Sequence, residues 1–298
     1  MKPAAAVLEV KKLTKAFGNF NAVKDVSFAV QKGEIFGFLG PNGAGKSTTI
    51  RIILNILKPT NGAVVLFGDA TLAAHAAHKK IGYLSGDMVL DSDLTGEQYL
   101  GLVNSLYGGG HEKRTKELAT LLQANLTKNI GSYSRGNRQK IGLIAALLHE
   151  PELLILDEPS SGFDPLIQET FMQLVREYRD RGGTVFMSSH ILSEVQQLCD
   201  KVAFIKDGKI ITISALEEIQ ATATKHIHVV WADEAAAKLS HKLAGLEEMS
   251  RNRMSTTFSY SGDVALLLTY FAQRHVADIT IQEPDLEQLF MSYYEAKK

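Results

Sequence analysis

Three short β-branched and aromatic runs, VLEVKKL, AVKDVSFAV and EIFGFLG, occupy residues 7–38, separated by Gly, Asn and Lys positions suited to turns. They predict strands that open a mixed sheet. The period then changes. After the glycine-rich GPNGAGKST, the apolar residues of TTIRIILNILKP recur at helical spacing until Pro59 stops them, so the order is strand, loop, helix. Residues 91–149 carry mainly helical patterns, with turn signals at Gly108-Gly109-Gly110 and around Gly131, as in a helical insertion between two parts of a sheet domain. LLILD, GTVFMSSH and KVAFIKDGKII follow, apolar runs alternating with helical stretches, as in a buried parallel sheet.

After Ile213 the character shifts. SALEEIQATATK is polar and helix-forming, and HIHVVW then begins a new set of alternating strands with STTFSY and ADITIQ. Helix-like EAAAKLSHKL, VALLLTYFAQRH and LEQLFMSYYE lie between and after them. The pattern predicts an α/β domain over residues 1–224, with its helical part at about 91–149, and a small α+β domain over 225–298.

At 298 residues the chain exceeds a typical single domain, and 45% hydrophobic with 22% charged residues describes an ordinary globular protein. A formal net charge of −1 gives no global reason to bind nucleic acid or an anionic bilayer, so no nucleic-acid partner is expected. The one cysteine, Cys199, cannot form an intramolecular disulfide and sits in the helix-like HILSEVQQLCDKV, which reads as a buried structural thiol in a reducing compartment. The nine histidines show no zinc-ligand spacing. The start, MKPAAAVLEV, is too quickly charged for a signal peptide, and no apolar run approaches the roughly 18–20 residues that span a bilayer. The expected location is cytosolic, held at the membrane only by a partner.

The segment Gly40-Pro41-Asn42-Gly43-Ala44-Gly45-Lys46-Ser47-Thr48 fits GxxxxGK[ST], in the required strand-to-helix context. Its glycines let backbone N–H groups approach phosphate oxygens, and the helix N-terminus presents positive potential. Lys46 reaches the β and γ phosphates, and the Ser47 hydroxyl coordinates Mg²⁺. Alone, this loop says only "nucleoside triphosphate". Over a hundred residues later, LLIL ends in Asp157 and Glu158, two carboxylates at the end of a buried strand. In a phosphate-loop protein the first holds Mg²⁺ and the second accepts a proton from the attacking water. In isolation, LLILDE reads equally as a core strand with a solvated acidic end.

Tyr133-Ser134-Arg135-Gly136-Asn137, followed by Arg138-Gln139, lies shortly before the acidic strand, where ATP-binding-cassette (ABC) ATPases carry their LSGGQ signature. From these residues the chain resembles that family over about residues 7–213. Ser161-Gly162-Phe163-Asp164 matches its D-loop, His190 its switch histidine, and Phe17 the aromatic residue that stacks on adenine.

The resemblance implies a P-loop NTPase fold, a mixed sheet with a helical subdomain, using ATP and Mg²⁺. It implies that Phe17, the loop from Gly40 to Thr48, the signature from Tyr133 to Asn137, and Asp164 contact nucleotide. Ser47 and Asp157 would serve the metal, and Glu158 as base and His190 as transition-state stabiliser would carry the chemistry. Ser134 can cap the helical RGNRQKIGLIAALLH and leave free N–H groups for an anion, which in the family is the γ-phosphate bound to a second copy in a head-to-tail dimer. Two departures stand out. Arg135 and Asn137 replace Gly and Gln of the signature, and Gly86 in IGYLSGDMVLDSDLTGEQYL stands where the family's Q-loop has Gln or Glu.

One motif set, no long coiled coil and an added C-terminal domain look most like bacterial single-cassette exporter ATPases that pair with a separate integral membrane permease; DLEQLFMSYYE also resembles the terminal helix of that group. A soluble ABC protein acting on ribosomes or DNA would show tandem cassettes or a long coiled coil. A nucleotide-dependent switch with little turnover is suggested by Gly86, and the retention of Glu158 and His190 argues against it.

Overall fold

The computed structural model of the chain describes residues 6–69, 74–222, 225–239 and 242–282. The segment LEQLFMSYYE lies outside them. The chain forms two compact units, which divide between Leu216 and Glu217 rather than near Thr224.

In the first unit β1 (Ala6–Phe17), β2 (Phe20–Gln31) and β3 (Ile35–Leu39) lead through the glycine-rich loop to α1 (Lys46–Ile53). This helix ends well before Pro59, because Asn55 is left-handed (φ 55°) and the Ile56 and Leu57 N–H groups both turn back to the Arg51 carbonyl. Next come β4 (Asn61–Leu66), α2 (Ala74–His78), β5 (Ile81–Leu84), α3 (Gly96–Leu106), α4 (Glu112–Leu121) and α5 (Arg135–Leu147). The unit closes with β6 (Leu153–Asp157), α6 (Pro165–Asp180), β7 (Thr184–Ser189), α7 (Leu192–Leu198), β8 (Lys201–Lys206) and β9 (Lys209–Ala215).

A six-stranded sheet runs β5-β6-β7-β3-β8-β9, parallel from β5 to β8, with β9 antiparallel at its edge. KVAFIKDGKII is therefore a hairpin and not one run: Asp207 and Gly208 both take positive φ, the geometry of a two-residue turn whose twist matches its strands. All residues of β3, β6 and β7 are buried, as expected of central strands covered on both faces. The smaller antiparallel sheet, β2-β1-β4, packs on this one through aromatic side chains. Phe28 of β2 lies 5.4 Å, centroid to centroid, from each of Phe36, Phe38 and Phe186. Such a cluster anchors the sheets by area burial and ring packing together.

The helical insertion comprises α3, α4 and α5. Thr95 caps α3 in a capping box with Gln98, and the chain turns after it through Gly108, Gly109 and Gly110, all at positive φ. Cys199 is buried between α7 and β8; desolvation first, then the charges of Asp200, Glu194 and Glu34, push its thiol far above the usual range and make it inert.

The division falls at the first residue of α8 (Leu216–Thr222), and the second unit continues with β10 (Lys225–Trp231), α9 (Glu234–Ala237), β11 (Leu246–Arg251), β12 (Ser255–Tyr260), α10 (Val264–Ala272) and β13 (Val276–Gln282). The sheet order is β11-β12-β10-β13, and all its pairings are antiparallel. Its inward residues, Ile227, Val229, Trp231, Phe258 and Tyr260, form a core of their own with Leu267 and Phe271 of α10.

Candidate active site

The glycine-rich loop joins the carboxyl end of β3 to the first turn of α1. Gly45 has φ 105°, and a Cβ there would stand 2.4 Å from the Ala22 carbonyl oxygen, so the position demands glycine twice over. Asn42 and Gly43 are exposed, Ala44 is buried, and Ser47 and Thr48 are half-buried. The first N–H groups of α1 have no partner in the helix and face the loop, the arrangement that receives anions. Lys46 opens α1 and is only 4% exposed. Its ammonium donates to the carbonyls of Gly40 (2.8 Å) and Pro41 (3.2 Å) and lies 3.2 Å from Glu158 Oε1.

Strand β6 delivers Asp157 to the same end of the sheet. Asp157 is buried, and its Oδ1 accepts a 2.5 Å hydrogen bond from Ser188 on β7. Glu158 then leaves the strand in a left-handed conformation (φ 50°), a strain on the order of 1 kcal/mol, with its N–H donating to Ser188. This turn aims the carboxylate between two partners. Oε1 faces Lys46, and Oε2 stands 3.2 Å from Nδ1 of His190, which follows β7 and is largely open to solvent. The result is a carboxylate at the carboxyl end of a central strand, in contact with an imidazole and a buried ammonium, able to take a proton from a water beside it. Gly86 packs behind the pair: a Cβ there would lie 3.1 Å from the Asp157 carbonyl oxygen.

Ser134 caps α5, its Oγ accepting from Asn137 N. The Asn137 side chain both accepts from Asn125 N (2.9 Å) and donates to Asn125 O (3.1 Å), which gives the replaced signature position a local anchoring task. Tyr133 is buried, and its hydroxyl accepts from Gly96 N at the start of α3. Gly136 abuts the D-loop of the same chain, since a Cβ on it would meet the Gly162 carbonyl oxygen at 2.5 Å. Arg135 flanks the same glycine. Asp164 caps α6 by accepting from Ile167 N. Phe17 is 51% exposed at the end of β1, with the Lys15 ammonium 5.0 Å from its ring centre. Lys46, Asp157, Glu158 and His190 thus come together, whereas no hydrogen bond or ion pair among the described residues joins residues 133–137 to residues 40–48.

Ser188 and Glu194 escaped the sequence, and Gln139, which follows the signature, has no role legible there. Ser188 braces both acids. Gln139, 3% exposed, donates from α5 to the carbonyls of Pro159 (3.1 Å) and Glu158 (3.4 Å). Glu194 is 4% exposed and accepts from Ser160, Ser189 and Gln168. One signal was present for it: Glu194 lies four residues before Leu198, on the buried side of α7.

A phosphate loop, an acidic strand end and an inserted signature helix on this mixed sheet define an ATP-binding cassette. The ABC transporter family profile matches residues 23–161. The chain is 33% identical over 297 residues to the bacitracin transport ATP-binding protein BcrA of Bacillus licheniformis, covering 96% of this chain and 97% of the relative. It belongs to the ATP-binding proteins of ABC transporters, a family of ATP-hydrolysing cassettes. It is 36% identical over 225 residues to the probable multidrug ABC transporter ATP-binding protein YbhF of Escherichia coli K12, covering 74% of this chain but spanning only 39% of that relative. Among solved structures, the dimeric bacterial ABC transporter cassette MJ0796 matches with a TM-score of 0.64 at 26% identity, over 70% of this chain and 98% of that one. No helix among the described residues is long and apolar enough to cross a membrane.

Proposed function

We propose that this chain hydrolyses ATP on the cytoplasmic face of a membrane and thereby drives export through a separately encoded permease. The observation that carries the proposal is the meeting of Lys46 and His190 on the Glu158 carboxylate, each at 3.2 Å. Arriving phosphates take over the Lys46 ammonium and free Glu158 to accept a proton from water. The water oxygen bonds to the γ-phosphorus, the bond to the bridging oxygen breaks, and ADP leaves with its electron pair. His190 donates to the charge that builds on the phosphoryl oxygens. Ser47 and Asp157 are hard oxygen donors, few in number, which suits a Mg²⁺ ion that keeps phosphate and water ligands and neutralises phosphate charge.

The separation of residues 133–137 from the phosphate loop suits a site completed by a second copy, with Ser134 and Gly136 of one subunit closing on ATP held by Lys46 and Ser47 of the other. The dimeric relative MJ0796 supports this reading. Support for a membrane partner comes from an apolar groove of about 370 Å³ lined by Ile56, Tyr83, Tyr99, Val103 and Leu106. Ile56 and Leu106 are 64% and 75% exposed there, a surface suited to an amphipathic helix of the permease. Relatives named for bacitracin transport and, as probable, for multidrug transport support a transport role.

The test is Glu158→Gln in size-exclusion chromatography with ATP and Mg²⁺. The variant is expected to accumulate as a dimer that the wild type forms only transiently. A variant that stays monomeric at every concentration refutes the composite site.

A further inference from the structure

Glu194 is a buried carboxylate of the first unit without a cation beside it: it is 4% exposed, and among the described residues no Lys, Arg or His lies within ion-pair distance of it. Neutral donors surround it instead. Oε1 accepts from Ser160 Oγ and from Gln168 Nε2 (3.0 Å), and Oε2 accepts from Ser189 Oγ (2.8 Å). A buried carboxylate without a cation is costly, and the cost falls only as its oxygens are filled by hydrogen bonds of defined direction.

The positions of those donors are informative. Ser160 stands two residues after Glu158, immediately before the D-loop, and Ser189 immediately precedes His190. The two backbone segments that carry the reacting pair leave the sheet separately, from β6 and β7, and meet again on one side chain. From the opposite side, Gln139 holds the Glu158 and Pro159 carbonyls to α5.

We propose that Glu194 is a positioning residue for hydrolysis, which locks the D-loop to the segment bearing His190 so that the Glu158–His190 spacing is fixed before ATP arrives. Its oxygens are filled by Ser160, Gln168 and Ser189, so it acts through these segments and not on the reacting atoms. The proposal rests on the hydrolytic roles given above to Glu158 and His190. Geometry, and not charge, is what the tie requires. A glutamine at this position keeps an oxygen for Ser160 and Gln168, and its amide can donate to Ser189 Oγ, whose own hydrogen turns to the Ile191 carbonyl 3.3 Å away.

The experiment measures steady-state ATP hydrolysis by the full chain, with Glu158→Gln as the control. Wild-type turnover that Glu158→Gln fails to abolish removes the underlying reading, independently of Glu194. Given that dependence, Glu194→Ala is expected to lower kcat about tenfold or more with KM for ATP within about twofold, since misplacing catalytic groups by a fraction of an ångström acts on the reacting state and not on phosphate binding. Glu194→Gln is expected to retain kcat within about threefold. Equal loss in the two variants, or a loss carried by KM, overturns the proposal. If Glu194→Ala does not fold, Ser160→Ala decides: it cuts only the D-loop side of the tie and is expected to lower kcat about threefold or more at unchanged KM. Wild-type kcat in Ser160→Ala then overturns the proposal as well.

Discussion

The Lys46 ammonium lies 3.2 Å from Glu158 Oε1, so the side chain suited to phosphate and the side chain suited to water share one contact. ATP binding must break that contact. Glu158→Gln removes the competing charge and is expected to tighten ATP binding about fivefold, on the order of 1 kcal/mol, while abolishing turnover. Lys46→Ala is expected to weaken binding about thirty- to a hundredfold, the loss of a charge-assisted contact of about 2–3 kcal/mol. Titration of both variants with a fluorescent ATP analogue checks the pair; weaker binding in Glu158→Gln contradicts the competition.

Gly86 bears on turnover through Asp157. A Cβ at 3.1 Å from the Asp157 carbonyl oxygen is tighter than ordinary packing, so any side chain there must push the loop back by a few tenths of an ångström. Gly86→Ala is expected to slow single-turnover hydrolysis by disturbing the metal-side acid. Gly86→Gln carries the same steric load but restores an oxygen, and is expected to be faster than Gly86→Ala with a lower Mg²⁺ requirement. Equal rates and equal Mg²⁺ dependence in the two variants remove the case for a missing ligand.

His149 stacks on Tyr107 at 3.7 Å between ring centres, and burial holds its pKa down at about 4. The unfolded chain protonates it near 6.5, so between those values the unfolded state binds more protons and stability falls as pH falls. The contribution is fully present above about pH 6.5 and is lost toward pH 4, about 2–3 kcal/mol after allowing for solvent screening at this partly exposed site. His149→Phe keeps an aromatic ring against Tyr107 and cannot titrate. Urea midpoints measured from pH 7 to 4 are expected to drop less in the variant; parallel curves count against the assignment.

The second unit has its own core and contains the one tryptophan of the chain, Trp231, so its fluorescence reports that unit alone. Phe258→Ala is expected to destabilise it by about 3–5 kcal/mol while ATP affinity stays at the wild-type level. Lost ATP binding in a chain whose first unit remains folded would show that residues 225–298 serve the nucleotide site.

Much of the site was legible because its chemistry is local in sequence: nine consecutive residues make the phosphate loop, and Asp157 and Glu158 adjoin. What was illegible depends on partners far along the chain. Glu194 reads as a solvated helix charge until Ser160, from a different loop, is seen to donate to it. Gln139 looks like one more polar helix residue, though it is 3% exposed beneath the Pro159 carbonyl. The division of β8 from β9 was written in Asp207-Gly208, a hairpin signal concealed by the apolar residues on both sides. The edge strand β4 has no fully buried residue, although residues 63–66 are apolar and Val64 and Leu66 pack against the core. The division falls after Leu216, which is buried, close to the shift in character after Ile213 and ahead of Thr224, where the new strands begin.

The Asp207-Gly208 turn also bears on how the protein is made. Gly208 donates its N–H to the Ala44 carbonyl and accepts from Lys24 N, so the back of the phosphate loop is braced by a turn encoded more than 150 positions downstream. Both neighbours of β3, β7 and β8, come late as well. A ribosome adding about 5–20 residues per second exposes the loop several seconds before its supports emerge. During that interval the nascent chain carries the nucleotide motif without the nucleotide site, and competence arrives only as the last strands of the first unit leave the exit tunnel.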